Sequence, residues 1–230
     1  MLTHAEWAIV ALSLRVGAVA VLVTLPMAYA LAWVLARRRF PGRVLLDALV
    51  HLPLVVPPVV TGWVLLLLFG RHGPVGAWLD AQFGVTLVFR WTGAALAAAV
   101  MALPLMVRAM RLSIEAVDCK LVAAARTLGA GPWRAFWTIT LPLSVPGIAA
   151  GAMLGFARSL GEFGATITFA SNIAGETRTL PLAIYSGLQV PGGEGLVTRL
   201  SLLSVALSLG ALIISELLVR RVPGGQIRGL

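Results

Sequence analysis

Two opposite charges, Arg158 and Glu162, stand four residues apart in an apolar stretch of the chain. On a helix this spacing brings a guanidinium and a carboxylate within pairing distance. A basic or acidic side chain at the centre of a membrane-spanning helix costs about 2.5–3.5 kcal/mol on insertion scales, so such residues are functional candidates by default. We predict that Arg158, Ser159 and Glu162 act in translocation or gating. The alternative is an ion pair that only fixes helix packing.

Other residue types that support catalysis are scattered along the chain. The three histidines have no metal-ligand spacing, and no serine, cysteine or paired-carboxylate arrangement indicates hydrolysis. The only lysine, Lys120, does not follow a glycine-rich turn, so the chain has no phosphate-binding loop of the P-loop type. We predict no catalytic residue, cofactor or metal site. If ATP drives this protein, the nucleotide must bind to another subunit.

The composition is that of an integral membrane protein. Of the 230 residues, 59% are hydrophobic and 12% are charged, whereas a soluble domain has about 25% charged residues. A helix needs about 20 apolar residues to cross the hydrocarbon core, and the apolar runs here do not alternate as barrel strands would. The predicted fold class is therefore all-α, with five transmembrane helices. The predicted spans are 16–36, 45–69 (interrupted by prolines), 91–107, 145–170 and 200–219.

The basic residues predict how the chain sits in the membrane. Four follow the first span, five follow the third and three follow the fifth, whereas the segments on the other side carry four. Lys and Arg bias short loops toward the cytoplasm, so we predict an outside N-terminus and a cytoplasmic C-terminus. The net charge of +9 then reflects topology and contact with lipid headgroups, and the chain shows no nucleic-acid recognition motif. We expect one transmembrane domain, 8–220, and a short basic tail, 221–230.

The predicted cytoplasmic segment 108–144 is long and has a helical pattern. Residues 115–128 are rich in helix formers with apolar residues three and four apart, and 133–140 forms a second short helix. Between them, residues 129–132 predict a helix stop with a left-handed cap. We predict a helical hairpin parallel to the membrane. The pattern alone leaves open an amphipathic hairpin that binds only the lipid interface.

Small residues recur every four positions in the fourth predicted span. Gly147, Gly151 and Gly155 are followed at the same interval by Ser159. A stripe of this kind allows a second helix to approach closely inside a membrane. We therefore predict that the three glycines serve helix packing.

The hairpin resembles the signature loop of importer-type ABC permeases. In that family the loop reads Glu-Ala-Ala, three residues, Gly, nine residues, Ile, one residue, Leu-Pro, and Ala123 stands here in place of the Glu. The resemblance implies a coupling helix that docks in a groove on a cytoplasmic ATP-binding subunit. The residues assigned to this coupling loop are Glu115, Ala124, Ala125, Leu128, Gly129, Ala130, Gly131, Trp133, Ile139, Leu141 and Pro142.

Three further stretches, 51–60, 156–165 and 171–179, are similar to molybdate permeases, and the similarity covers about 7–216. It implies the permease of a molybdate ABC importer, with a type I permease fold, as a multi-pass protein of the inner (cytoplasmic) membrane. The implied partners are a second copy of the chain, two cytoplasmic ABC ATPase subunits and an extracytoplasmic molybdate-binding protein. Sulfate and tungstate are the alternative substrates. Sulfate permeases carry a similar run, but they are usually longer and work as two different subunits, so the resemblance favours molybdate.

Two other classes of function are weaker alternatives. In a self-sufficient channel or ion-coupled carrier, Arg158 and Glu162 would be the coupling groups, but we find no convincing internal repeat of the kind many carriers show. A membrane enzyme would need catalytic residues that the sequence does not offer.

Overall fold

The computed structural model describes the backbone of residues 3–221 and the side chains as far as residue 214. The described part is helical and contains no strand, which confirms the predicted all-α class. Its elements are α1 (His4–Arg37), α2 (Arg43–Val55), α3 (Pro58–Phe69), α4 (Pro74–Phe83), α5 (Trp91–Ala116), α6 (Cys119–Thr127), α7 (Pro132–Ala135), a π-helical turn (Phe136–Thr140), α8 (Leu141–Leu160), α9 (Gly164–Phe169), α10 (Leu180–Leu188) and α11 (Glu194–Arg221).

Helix α1 is longer than the predicted first span 16–36. It begins at His4 because Thr3 and Glu6 form a capping box, in which each side chain accepts a hydrogen bond from the other residue's backbone N–H. Its 34 residues correspond to about 51 Å, which exceeds a hydrocarbon core of about 30 Å. The helix therefore extends beyond the apolar segment that the hydropathy pattern marks.

The second predicted span, 45–69, is not one straight helix. Helices α2 and α3 are bent by 115° at Val56 and Pro57. Pro57 and Pro58 have no backbone N–H, and proline disfavours helical geometry in the residue before it, so the helix ends at Val55. Within residues 3–214, four helices are long and apolar enough to cross a membrane, or five if this bent pair forms one span.

Helix α5 lies at the centre of the bundle and packs mainly against α1 and α8. Many of its buried residues are alanines, such as Ala98 and Ala102, which are fully buried. On α1, Ala28 and Ala32 are also fully buried. Small side chains let the helix axes approach closely, and larger buried side chains such as Leu35 and Met110 complete the core.

The fourth predicted span, 145–170, is also interrupted. Helix α8 ends at Leu160, a turn over 161–163 follows, and the six-residue helix α9 begins at Gly164. Glu162 is therefore in the turn after α8, and the prediction that it shares a helix with Arg158 is wrong. The turn has the form Gly-Glu-Phe-Gly, and its two glycines weaken the helix at this point.

The predicted basic tail 221–230 lies outside the described residues, apart from the backbone of Arg221. The orientation in the membrane stays a prediction. Below, the end of the bundle that carries Arg37 and α6 is called the predicted cytoplasmic end, and the opposite end, with Trp91 and Glu194, the predicted external end.

Candidate coupling and translocation sites

The first helix of the predicted hairpin is shorter than 115–128. The chain breaks at Val117 and Asp118, and the Asp118 carboxylate accepts a hydrogen bond from the Lys120 N–H at 2.8 Å as the N-cap of α6. Glu115 therefore belongs to α5. There it pairs with Arg111 (Nε to Oε1, 2.9 Å), whose Nη1 also lies 3.2 Å from the Asp47 carboxylate on α2. Glu115 thus helps to hold α2 against α5 and is not part of the hairpin.

Helix α6 projects from the bundle, and its side chains are accessible at the surface. It has no buried residue, and Leu128 at its end has 89% of its surface exposed. Gly129 follows with φ of +86°, the left-handed conformation that the sequence predicts for the cap. The Ala130 N–H closes the turn by donating to the Ala125 carbonyl at 3.0 Å. The hairpin therefore presents an apolar tip that no described part of the chain covers.

The second helix of the hairpin runs directly into the membrane bundle. Instead of one helix over 133–140, α7 is followed by the π-helical turn, in which the Leu141 N–H donates to the Phe136 carbonyl. Pro142 provides the physical reason, because its ring would clash with the carbonyl four residues earlier in a continuous α-helix. Ile139 and Leu141 lie in or beside this turn, so the hairpin and α8 form one connected segment.

An aromatic cluster joins this segment to α1. The Phe136 ring packs edge-on against four other aromatic rings at centroid distances of 5.5–6.2 Å, those of Tyr29, Trp33, Trp133 and Trp137. The Tyr29 hydroxyl also lies 2.8 Å from the Ser144 Oγ on α8. The segment 132–140 is therefore joined to α1 by ring contacts, and α1 is joined to α8 by the contact of Tyr29 with Ser144.

Arg37, at the end of α1, fixes the break between α5 and α6. Its guanidinium donates hydrogen bonds to the carbonyls of Ile114 and Val117, both at 2.9 Å, and to the Cys119 Sγ at 2.8 Å. Sequence reasoning treated Arg37 only as one of the charges that set orientation. Its partners are 77–82 residues away, and no local spacing signals such a contact.

The structure brings Arg158 and Glu162 together. Arg158 Nη1 lies 2.7 Å from Glu162 Oε2, and the other carboxylate oxygen accepts a hydrogen bond from the Ala165 N–H at 2.8 Å. The Glu162 side chain is 2% exposed, whereas that of Arg158 is 26% exposed. Glu162 therefore links the end of α8 to the start of α9, and Arg158 keeps about a quarter of its side chain exposed.

The remaining fourth-span candidates are engaged in packing. The Ser159 Oγ donates to the Gly155 carbonyl at 2.8 Å, so its hydroxyl is satisfied inside the helix. A β-carbon at Gly147 would overlap Ser113 on α5, and one at Gly151 would lie 3.1 Å from the Met106 carbonyl. At Gly155 it would lie 2.6 Å from the Met106 sulfur. The glycine stripe therefore lies against α5.

The breaks in the second and fourth spans meet each other. A β-carbon at Gly164, the first residue of α9, would lie 2.7 Å from the Pro58 Cβ at the start of α3. One at Gly62 would lie 2.7 Å from the Ala165 carbonyl oxygen. Irregular backbone at membrane depth is tolerated only where protein buries it or where it lines a water-filled cavity. These paired breaks, beside Arg158, are thus the candidate location for a translocation pathway. The sequence predicts the interruption at Pro57 and Pro58, but not the break in the fourth span or the contact between the two.

A hydrogen-bonded loop covers the predicted external end. Asn172 donates to the Ser186 Oγ at 2.6 Å and accepts from the Arg178 Nε at 2.9 Å. Beside this loop the Arg15 guanidinium lies 3.8 Å from the centre of the Trp91 ring. The stretch 171–179 is therefore held in place by side-chain hydrogen bonds.

The comparison with known protein families and proteins agrees with this geometry. Residues 25–223 match the family of inner membrane components of binding-protein-dependent transport systems. The chain is 59% identical to the molybdenum transport system permease protein ModB of Escherichia coli (strain K12) over 220 residues, 96% of each chain. It is 44% identical to the sulfate transport system permease protein CysT of the same strain over 159 residues, 69% of this chain and 57% of that protein.

The fold is similar to that of a solved transporter. A chain from the crystal structure of a bacterial alginate ABC transporter, in complex with an alginate pentasaccharide-bound periplasmic protein, superimposes with a TM-score of 0.74. The match covers 95% of this chain and 80% of that chain at 19% sequence identity, so it concerns the fold alone. The predicted permease fold is confirmed by this likeness.

Proposed function

We propose that this chain, which belongs to the family of inner membrane components of binding-protein-dependent transport systems, is the permease subunit of an ATP-driven molybdate importer. It is a multi-pass protein of the inner membrane, as its family and its apolar helices indicate. The observation that carries the substrate is 59% identity over 96% of the chain to a molybdenum transport permease. The family match and this identity confirm the predictions of family, function and location.

ATP hydrolysis belongs to a separate subunit in this proposal. The sequence has one lysine and no phosphate-binding loop, whereas the exposed hairpin tip at Leu128 and Gly129 offers a surface for a cytoplasmic partner. Two ABC ATPase subunits dock there, one on each of two copies of the chain. Four or five spans are few to enclose a gated path, which supports pairing with a second copy.

The other partner is an extracytoplasmic molybdate-binding protein. The hydrogen-bonded loop 171–179 at the predicted external end supports this, because a docking surface must hold its shape when a partner arrives and leaves. Molybdate is delivered at that end and released at the other.

The order of contacts supports a mechanism of coupling. When ATP draws the ATPase subunits together, the hairpin moves with them. Phe136 and the π-helical turn pass this movement to α1 and α8. The far end of α8 carries Arg158 and the break that packs against Pro58, so a shift of α8 changes the contact between the two broken spans. The positive charge of Arg158, whose side chain is partly exposed, provides an attraction for a divalent oxyanion that passes this point.

A sulfate permease is the second candidate. It is favoured by 44% identity to a sulfate permease, but over 69% of this chain only. Tungstate has no separate support. If the chain were an ATP-independent channel or ion-coupled carrier, the exposed hairpin would have no function.

Uptake of radiolabelled molybdate tests the proposed substrate. The chain is expressed, together with its ATPase and binding protein, in bacteria that lack their own molybdate permease. We expect restored uptake at low molybdate concentrations, with a large excess of sulfate causing little competition. Restored sulfate uptake with no molybdate uptake would show that the second candidate is correct.

A further inference from the structure

A groove runs along α1 at the predicted cytoplasmic end and is closed on one side by the hairpin. Its volume is about 430 Å³. Five residues of α1 line it at helical spacings of three and four, which places them on one face of that helix, and Arg38 follows directly after the helix in an extended conformation. The lining residues are Pro26, Tyr29, Ala30, Trp33 and Val34 from α1, Arg38 just after it, and Pro132, Trp133 and Phe136 from the hairpin.

The groove is apolar along its length and charged at one end. The Arg38 guanidinium lies 5.3 Å from the centre of the Trp33 ring, at the mouth of the groove. From Pro26 to Arg37, the residue before Arg38, the helix rises about 17 Å, a little more than the ~15 Å thickness of one leaflet of the hydrocarbon core. The shape and the charge fit an amphiphile with one hydrocarbon chain in the groove and an anionic group at Arg38.

Arg38 differs from its basic neighbours in being turned to the groove. Arg37 is occupied by the break between α5 and α6, and Arg43 donates to the Leu35 carbonyl at 2.7 Å. Arg39 is exposed but does not line the groove. No Asp or Glu is among the described residues that line it, so the positive charge at its mouth is not neutralised there.

We propose that this groove binds one anionic phospholipid, with the phosphate on Arg38 and an acyl chain against Tyr29 and Trp33. The predicted orientation places Arg38 at the cytoplasmic leaflet, where anionic lipid attracts basic side chains. Trp33 and Trp133 are residues that prefer the headgroup region. Because Trp133 and Phe136 belong to the hairpin, the bound lipid forms part of the contact between α1 and the coupling segment. The site depends on the membrane location and not on which oxyanion is transported.

Native mass spectrometry of the purified full-length chain tests this site. The chain is exchanged into detergent with equal amounts of phosphatidylglycerol and phosphatidylcholine, and the retained lipids are counted. We expect a preference for phosphatidylglycerol that Arg38→Ala lowers about fivefold, the effect of one basic residue near an anionic membrane surface. Arg39→Ala is the matched control and should keep the preference. Ala30→Trp fills the groove and should remove the retained lipid whatever its headgroup.

Thermal unfolding in detergent checks that each variant is folded, and the wild-type preference remains informative if a variant is not. Absence of any preference in the wild-type chain would overturn the proposal. Equal losses in Arg38→Ala and Arg39→Ala would also overturn it, because they indicate diffuse attraction. If Ala30→Trp keeps its lipid but no longer retains the ATPase subunit, the groove is a protein contact and the proposal is wrong.

Discussion

Arg158 Nη1 lies 2.7 Å from Glu162 Oε2, and this ion pair joins the last turn of α8 to the break that precedes α9. The partners are unequal, because Glu162 is buried and uses both of its oxygens, whereas Arg158 keeps about a quarter of its side chain exposed. We therefore expect Glu162 to act as a positioning residue and Arg158 to be the member of the pair that can meet an anion. The two roles are separable by mutation.

Glu162→Gln should be milder than Glu162→Ala. The amide oxygen of Gln can still accept the hydrogen bond from the Ala165 N–H, whereas Ala loses both the hydrogen bond and the ion pair. We expect Glu162→Ala to lower the midpoint of thermal unfolding in detergent by several degrees more than Glu162→Gln. Equal destabilisation by the two variants would show that the hydrogen bond from Glu162 to α9 contributes nothing to stability.

Arg158→Ala leaves the buried carboxylate of Glu162 without its partner. Breaking a buried pair costs about 3–5 kcal/mol, and the partial exposure of Arg158 places the expected loss at ~3 kcal/mol. The double variant Arg158→Ala with Glu162→Gln should recover stability, because no uncompensated charge remains. Stability and molybdate uptake are measured on the same samples. A double variant that is stable but inactive assigns a transport role to Arg158, and one that transports normally makes the pair structural.

Gly147→Ala should weaken the contact between α5 and α8. The added β-carbon overlaps Ser113, and overpacking of this kind costs about 1–3 kcal/mol. Gly210→Ala is the matched control on α11, because a β-carbon there meets nothing within 4 Å. It should be neutral or slightly stabilising in the same thermal measurement. Similar effects of both substitutions would contradict the close packing of the glycine stripe.

Gly129→Asp should reduce recovery of the ATPase subunit with the permease while the membrane bundle stays folded. The substitution adds a charge to the exposed hairpin tip and strains a residue with φ of +86°. Gly42→Asp is the control, since Gly42 has φ of +90° and nothing within 4 Å but lies in the other predicted cytoplasmic loop. Both variants carry the same backbone strain. Unchanged recovery with Gly129→Asp, together with normal uptake, would leave the hairpin as an interfacial anchor.

Arg37→Lys should loosen the break between α5 and α6 although it keeps the charge. A lysine ammonium cannot reproduce the planar arrangement of donors that contacts Ile114, Val117 and Cys119. We expect faster hydrogen exchange of the backbone in α6 than in the wild-type chain. Arg39→Lys, on an exposed arginine, should leave the exchange unchanged.

Apolar runs and helix-stop residues were enough to predict the fold class, most of the long helices and the left-handed turn at Gly129. They did not predict that α8 ends at Leu160, because the residues beyond it are also apolar and hydropathy does not distinguish a helix from a short turn. The prolines at 57 and 58 marked an interruption, but the 115° bend depends on how α3 packs against α9.

The candidate sites were harder to predict because they depend on contacts between distant segments. The four-residue spacing of Arg158 and Glu162 predicted an ion pair, and the structure forms it through a turn instead of a helix. The contact of Gly164 with Pro58 joins residues that are remote in sequence. Helical periodicity describes one element at a time and carries no information on such pairs.

ATP hydrolysis by the purified components tests most directly whether the chain is a translocation subunit that depends on a separate ATPase. The chain is reconstituted in liposomes alone, with its ATPase subunit, and with the ATPase subunit and the molybdate-binding protein, and both phosphate release and molybdate entry are followed. We expect neither signal from the chain alone, and ATP-dependent molybdate entry from the complete set. Hydrolysis of ATP, or accumulation of molybdate, by the chain without the ATPase subunit would contradict this function.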